Sequence, residues 1–207
     1  MATKTDPSWT RLRWRHFLDR VVDPAIDRAL GMETNRFVSV EGLGLNPDQA
    51  FAYGVAGWRS LQVILKRGEV TPEDVFVDFG CGKGRVLYLA SRYPFKRVIG
   101  VDLSPEMAAQ ARHNLAERPA VQVDIANAAE WAVPDDLTYA FFHNPFPNAI
   151  FEGVVQNLLE SLERRPRAFR VIYRRPHRMH GYLLEQGFKL IRQSESGPTN
   201  LYSGPAA

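Results

Sequence analysis

The sequence predicts an α/β fold: a doubly wound, seven-stranded, mostly parallel sheet with an N-terminal helical extension or lid. Three observations carry that expectation. From position 72 onward, short apolar runs alternate with amphipathic stretches of helical spacing, the rhythm of parallel strands joined by covering helices. The first of these runs, VFVDF at 75–79, leads directly into GCGKG, a turn placed where a doubly wound sheet binds its ligand. The last two runs are joined only by SESGPT, which reads as an antiparallel hairpin at the sheet edge.

The elements follow in order. In the first 36 residues, Trp14, Phe17, Leu18, Val21 and Val22 fall at helical spacing with charges between them, until Pro24 interrupts or restarts the helix. Residues 37–56 are rich in glycine and aromatics and read as irregular; 58–66 fits a helix ended by Gly68. Strands are expected at 75–79, 97–101, 121–124, 139–142, 169–173, 188–193 and 200–203, and helices near 84–92, 105–117, 149–164 and 177–186. A chain of 207 residues accommodates one sizeable core with an appendage, divided here as 1–70 and 71–207.

Composition narrows the class. Apolar content of 45% and charged content of 24% are ordinary for globular proteins, which argues against a disordered or fibrous chain. No apolar run approaches the roughly 20 residues of a membrane-spanning helix. The opening MATKTDPSWT lacks an apolar leader core, so a cytoplasmic location without membrane association is expected. Cys81 is the sole cysteine, which excludes an internal disulfide and a multi-cysteine metal site, and the five histidines show no ligand spacing; no metal is expected. Two basic groups stand out, Arg11, Arg13 and Arg15 with His16, and Arg164, Arg165, Arg167, Arg170, Arg174, Arg175 and Arg178. They keep a nucleic-acid partner open without favouring it, because no interleaved aromatic platform accompanies them.

The glycine stretch narrows the ligand. Gly80, Gly82 and Gly84 allow tight dihedrals and let a ligand lie on the backbone. Their G-x-G-x-G spacing differs from the dinucleotide fingerprint, and Lys83 is followed by Gly84, so the turn is no P-loop. Asp78, at the strand end, repels a pyrophosphate and attracts an ammonium. The next strand ends VIGVD, and Asp102 offers a carboxylate that can accept from a ribose diol. An amino-acid group joined to a ribose describes S-adenosyl-L-methionine.

VFVDFGCGKGRVLYLA is similar to the first motif of the class I, Rossmann-like, S-adenosylmethionine-dependent methyltransferases, and RVIGVDLSPEMAAQARHNL to their second strand and following helix. The resemblance runs from about Val75 to Phe146 and more loosely to the C-terminus. It implies that Asp78, Gly80, Cys81, Gly82 and Gly84 contact the methionine portion, that Asp102 binds the ribose, and that Leu103 lies against the adenine. The family's acid after the third strand is replaced by Asn127, followed by Ala128; Asp124 is the competing position. FFHNPF at 141–146 resembles a shortened form of the motif with which N-methyltransferases orient an acceptor nitrogen, so Asn144 is expected at cofactor or acceptor and Phe146 at the substrate wall.

Of the histidines, His143 falls at that position, where a base near neutral pH would serve an alcohol or phenol. The irregular segment with Phe37, Glu41, Asn46, Phe51 and Tyr53 is the expected lid, with Tyr53 and Trp58 as candidate contacts of acceptor or cofactor. The expected activity is methyl transfer to a nitrogen or oxygen of a small-molecule or peptide acceptor. Two rivals stand beside it: a protein or nucleic-acid methyltransferase, and a cofactor-binding partner subunit without turnover. Oligomeric state is not read from the sequence.

Overall fold

The computed structural model describes residues 22–35, 37–176, 179–195 and 199–205. The predicted helix around Trp14 to Val21, the first basic group and Arg178 therefore lie outside the described residues. The elements are α1 (Asp23–Ala29), β1 (Val75–Phe79), α2 (Arg85–Ala90), β2 (Arg97–Asp102), α3 (Pro105–Asn114), β3 (Val121–Ile125), β4 (Tyr139–Phe142), α4 (Asn148–Arg164), β5 (Arg170–Arg174), α5 (Met179–Glu185), β6 (Lys189–Gln193) and β7 (Thr199–Ser203). They form one seven-stranded sheet of order β3-β2-β1-β4-β5-β7-β6. The β1, β2, β3, β4 and β5 strands run parallel, and β7 pairs antiparallel with both β5 and β6. The order reverses between β1 and β4, so the crevice at their carboxyl ends is the switch point of the fold. Among the described residues no helix is long and apolar enough to cross a membrane.

The central strands are apolar on both faces because helices cover both. Phe76, Phe141, Ile172 and Leu201 join one core with Leu87 and Ala111, while Val77, Phe79, Phe142, Tyr173 and Tyr202 join another with α4 residues Phe151, Val155 and Leu158. Local chemistry sets the ends of elements. Pro24 and Pro105 stand in the first turns of α1 and α3, where a missing N–H costs nothing. The Ser104 hydroxyl caps α3 by accepting from the Met107 N–H at 3.3 Å.

The segment preceding β1 departs from expectation at 58–66. In place of a continuous helix there is a run of turns, in which Ser60 and Ile64 donate three residues back and Val63 and Leu65 four back. The helical period survives in the burial of Trp58, Leu61, Ile64 and Leu65, which pack with Met32 and Ala56 into the core beside α2. Packing of these side chains dictates the path, and the backbone ladder yields to it. Pro24 restarts a helix at α1, as the sequence allowed.

Arg85 joins this segment to the sheet. It opens α2, whose six residues are all buried, so its guanidinium has no route to water. Nη1 lies 2.5 Å from Asp23, Nη2 lies 3.1 Å from Asp27, and Nε donates to the Thr34 hydroxyl at 2.7 Å. The guanidinium carbon sits 4.6 Å from the Trp58 ring centroid. Truncating one member of such a buried group strands the opposite charges, at about 3–5 kcal/mol. Arg85→Leu is therefore expected to lower unfolding stability by that amount in urea titration. Arg164→Ala, which removes an exposed partner of Asp135, should cost under about 1 kcal/mol.

Candidate functional site

The carboxyl ends of β1, β2 and β4 meet the irregular segment in a cleft lined by Asp78, Gly80, Cys81, Asp102, Leu103, Asn127, Ala128, His143, Asn144 and Phe146, with residues from Leu43 to Ala56 as its cover. Asp78 is its most demanding member. It sits at the fourth position of a fully buried strand, is 2% exposed, and accepts no hydrogen bond among the described residues. Burial, and then the nearby Asp102 carboxylate, pushes its carboxyl well above the usual range. An unpartnered acid facing a cleft is suited to a cationic ligand group, whose charge would restore the ionised form.

Asp102 is already tied to the protein. One oxygen accepts from the Gly82 N–H at 2.7 Å and the other from the Ser104 N–H at 2.9 Å, so the carboxylate fixes the glycine turn to the start of α3. Each oxygen retains a second lone pair for a ligand hydroxyl. Burial raises its pKa, and the two N–H donors oppose that rise.

The three glycines do different jobs. At Gly80 the backbone is left-handed, with φ of +79°, and a Cβ would strike Pro145 from the β4 loop. At Gly82, φ is +52° and a Cβ would enter the Tyr53 ring. Gly84 instead lets the start of α2 approach Leu115 and Ala111, 2.8 and 3.2 Å from where its Cβ would stand. Of the three, Gly80 lines the cleft; Gly82 is covered by Tyr53, and Gly84 serves helix packing. The Cys81 thiol packs beneath Gly100, where a Cβ would lie 2.7 Å from Sγ, while burial raises its pKa.

Tyr53 bridges to Val38 through the backbone and donates its hydroxyl to the Thr34 carbonyl at 2.9 Å. Phe51 N–H donates to the Pro145 carbonyl at 3.2 Å, which joins the covering segment to the β4 loop. Phe51 and Tyr53 line the cleft, whereas Glu41 and Asn46 do not. Phe37 is 71% exposed, and Trp58 turns away to pack on Arg85 and Tyr88. Trp58 is thus a support of the wall and does not itself line the cleft.

After β3, Asn127 lines the cleft and Asp124 does not. The Asp124 carboxylate accepts from Trp131 Nε1 at 3.0 Å and from Gln122 at 2.8 Å. Asn127 accepts from the Ala129 N–H at 3.1 Å and donates to Glu130 at 2.9 Å, so its amide shapes the turn at the cleft wall. At the end of β4, Asn144 takes a left-handed φ of 48°. Phe146 is buried edge-on against Phe142.

His143 lines the cleft but lacks the pKa expected of a base near neutral pH. Burial first, then Arg174 and Arg175, pull the imidazole down to about 3, so it stands neutral and offers one donor and one weak acceptor. The sequence reading missed the charges of the neighbouring strand end. It also missed Arg85, Val86, Met107 and Ile150 in the cleft wall. Arg85 carried a signal, since an arginine opening an all-apolar helix must be buried and needs acids.

The raised carboxyl of Asp78 has a thermodynamic consequence. In the ligand-free protein the folded state keeps this proton above the pH at which the unfolded chain has lost it. The contribution is full below the unfolded value and is lost as pH rises through the folded one. Asp78→Asn, with no proton to lose, should therefore be more stable than the parent at pH 8 and closer to it at pH 4.5, as measured by urea unfolding at both.

Comparison with known proteins agrees with this geometry. Residues 76–175 match the family model described as a methyltransferase domain. Over 101 residues the chain is 39% identical to trans-aconitate 2-methyltransferase of Rhodopseudomonas palustris, covering 48% of this chain and 36% of that one. Over 123 residues it is 29% identical to ribosomal protein L11 methyltransferase of Burkholderia mallei, covering 58% and 36%. The chain thus spans about a third of the length of these curated relatives. Among solved structures, a precorrin 8w decarboxylase of Methanobacterium thermoautotrophicum superposes with a TM-score of 0.55 at 19% identity, over 73% of this chain and 91% of the other. A putative RNA methyltransferase of Pyrococcus horikoshii gives 0.54 at 19% identity, over 75% and 88%. These two likenesses concern the fold. The matched residues 76–175 run from β1 to the end of β5, so the likeness to a methyltransferase domain covers the strand order, the glycine turn and the paired acids that build the cleft.

Proposed function

We propose that the protein transfers a methyl group from S-adenosyl-L-methionine to a nitrogen or oxygen of a small-molecule or peptide acceptor. The observation that carries this is the Asp78 carboxyl, buried and without a protein donor among the described residues, in one cleft with Gly80 and Asp102. A cationic amino group is what that carboxyl lacks. The left-handed Gly80, closed over by Pro145, gives a backbone approach that a side chain would block. These features fit the family's cofactor.

S-adenosylmethionine, when bound, supplies a sulfonium methyl, whose C–S electron pair returns to sulfur as the acceptor lone pair bonds to carbon. The residues of this chain bind and orient. Asp78 holds the ammonium and is ionised by it; Asp102 accepts from the ribose hydroxyls with its remaining lone pairs; Leu103, Asn127 and Ala128 form the adenine wall. The segment from Leu43 to Ala56 excludes water from the reacting centre, with Tyr53 over the glycine turn. Asn144 orients the acceptor and Phe146 walls its site. Neutral His143 contributes a hydrogen bond, and its pKa of about 3 suits an acceptor that needs no base. Displacement at a sulfonium disperses charge, so positioning supplies most of what the protein gives.

The reading is tested by calorimetric titration with S-adenosylmethionine and S-adenosylhomocysteine. Micromolar binding of both is expected, followed by labelled-methyl transfer in an acceptor screen; absence of binding to either overturns it. Asp102→Ala should weaken the cofactor by about 1.5–3 kcal/mol, or roughly 10- to 150-fold. An unchanged dissociation constant in the folded variant would remove Asp102 from the site.

A further inference from the structure

The carboxyl edge of β4 and β5 carries a second group of residues that cofactor binding leaves unexplained. Phe142 stands level with Tyr173 in the last pair of the parallel register, so His143 and Arg174 each follow directly from that pair. β7 sets Thr199 opposite Arg174. Side chains alternate along a strand. Phe141, Ile172 and Leu201 belong to the core under the covering segment, two residues from His143, Arg174 and Thr199 respectively. The alternation therefore places these three on the same face, the face that Asp78 shares. His143 lines the cleft.

Backbone and charge both mark this edge. Asn144 and Arg175 are the non-glycine residues with positive φ among the described residues, at 48° and 59°, and each lies within two residues of the end of its strand. Bulky residues take this conformation at a cost of about 1–3 kcal/mol, and such residues cluster at ligand clamps and active sites. Arg175 is exposed and forms no ion pair among the described residues. The charges that act on the His143 imidazole are both cationic, Arg174 and Arg175. The cleft thus has acids at the β1 and β2 ends, while at its β4 side His143 feels two cations from the end of β5.

We propose that the methyl acceptor carries an anionic oxygen-acid group, a carboxylate or a phosphate, held at the carboxyl end of β5 by Arg174 and Arg175 beside His143. This rests on the methyl-transfer reading of the same cleft and names the class of acceptor. Guanidinium groups suit such oxygens because their N–H donors match two acceptors at once. A neutral imidazole adds one more N–H without the repulsion that a third cation would bring to the two arginines. The acids Asp78 and Asp102 repel the anion from the cofactor end and so orient the acceptor along the cleft.

The test follows the ring resonances of His143 by NMR, assigned through their loss in His143→Gln, in the full chain mixed with saturating S-adenosylhomocysteine. Citrate, inorganic phosphate and the neutral triamide of citrate are titrated at constant ionic strength. Saturable shifts are expected with citrate or phosphate at millimolar half-saturation or below, and none with the triamide. The tighter of the two anions identifies the acid group. Arg175→Gln, at an exposed position, should weaken the titration about tenfold, the loss expected for a charged hydrogen bond; Arg174→Lys gives a second reading that retains the charge but not the fork. Absence of a saturable shift with both anions, or an unaltered titration in folded Arg175→Gln, overturns the proposal. Calorimetry of S-adenosylhomocysteine on the same samples separates the two claims. An anion response without nucleoside binding rejects the methyl-transfer reading and leaves the anion site standing.

Discussion

The buried guanidinium of Arg85 is the constraint on which the cleft depends. It follows the glycine turn directly, and its charge is met by Asp23 and Asp27, which lie before the sheet begins. Desolvating one cation and two acids is unfavourable unless all three meet, so the N-terminal segment and the glycine turn take shape together. The connection closes on itself. Arg85 donates to Thr34, the Thr34 carbonyl receives the Tyr53 hydroxyl, and the Tyr53 ring lies over Gly82, three residues before Arg85. The cover of the cleft is thereby registered against its floor by hydrogen bonds and ring packing around one closed circuit.

Within the cleft, burial acts on acids and on the imidazole toward the same end. Asp78 and Asp102 move up and His143 moves down, because the low-polarity surroundings favour the neutral form of each. Neighbours add to the shifts of two of them, Asp102 acting on Asp78 and the two arginines on His143. A cleft of this kind holds charge in reserve. A cationic group beside Asp78 would restore the charged state that burial suppresses, so the two acids and the neutral imidazole give the cleft unlike ends.

Much of the fold was legible because it is written locally. All seven strands follow from short apolar runs, and the β6 and β7 hairpin from the SESGPT connection. The acids at the ends of β1 and β2 were readable from their place beside the glycines. The division of labour among the glycines was not, since Tyr53, Pro145 and Leu115 meet them from distant parts of the chain. The turns at 58–66 escaped for a related reason: helical burial of Trp58, Leu61 and Ile64 is satisfied without a continuous backbone ladder. His143 was legible as a cleft residue but not as a neutral one, because Arg174 and Arg175 reach it only through the register of β4 with β5.

The covering segment is held unequally at its two sides. On the α2 side it is anchored by the charged group around Arg85, where separation strands buried charges at about 3–5 kcal/mol. On the β4 side, among the described residues, the backbone bond from Phe51 to the Pro145 carbonyl spans 3.2 Å, an interaction worth about 1 kcal/mol net. Pro145 is also the residue that closes over Gly80, and it precedes Phe146 in the cleft wall. The least costly opening therefore lies between the covering segment and the β4 loop, beside Asn144. Opening there leaves the glycine turn covered, because the Tyr53 ring over Gly82 is held through Thr34 to the Arg85 group.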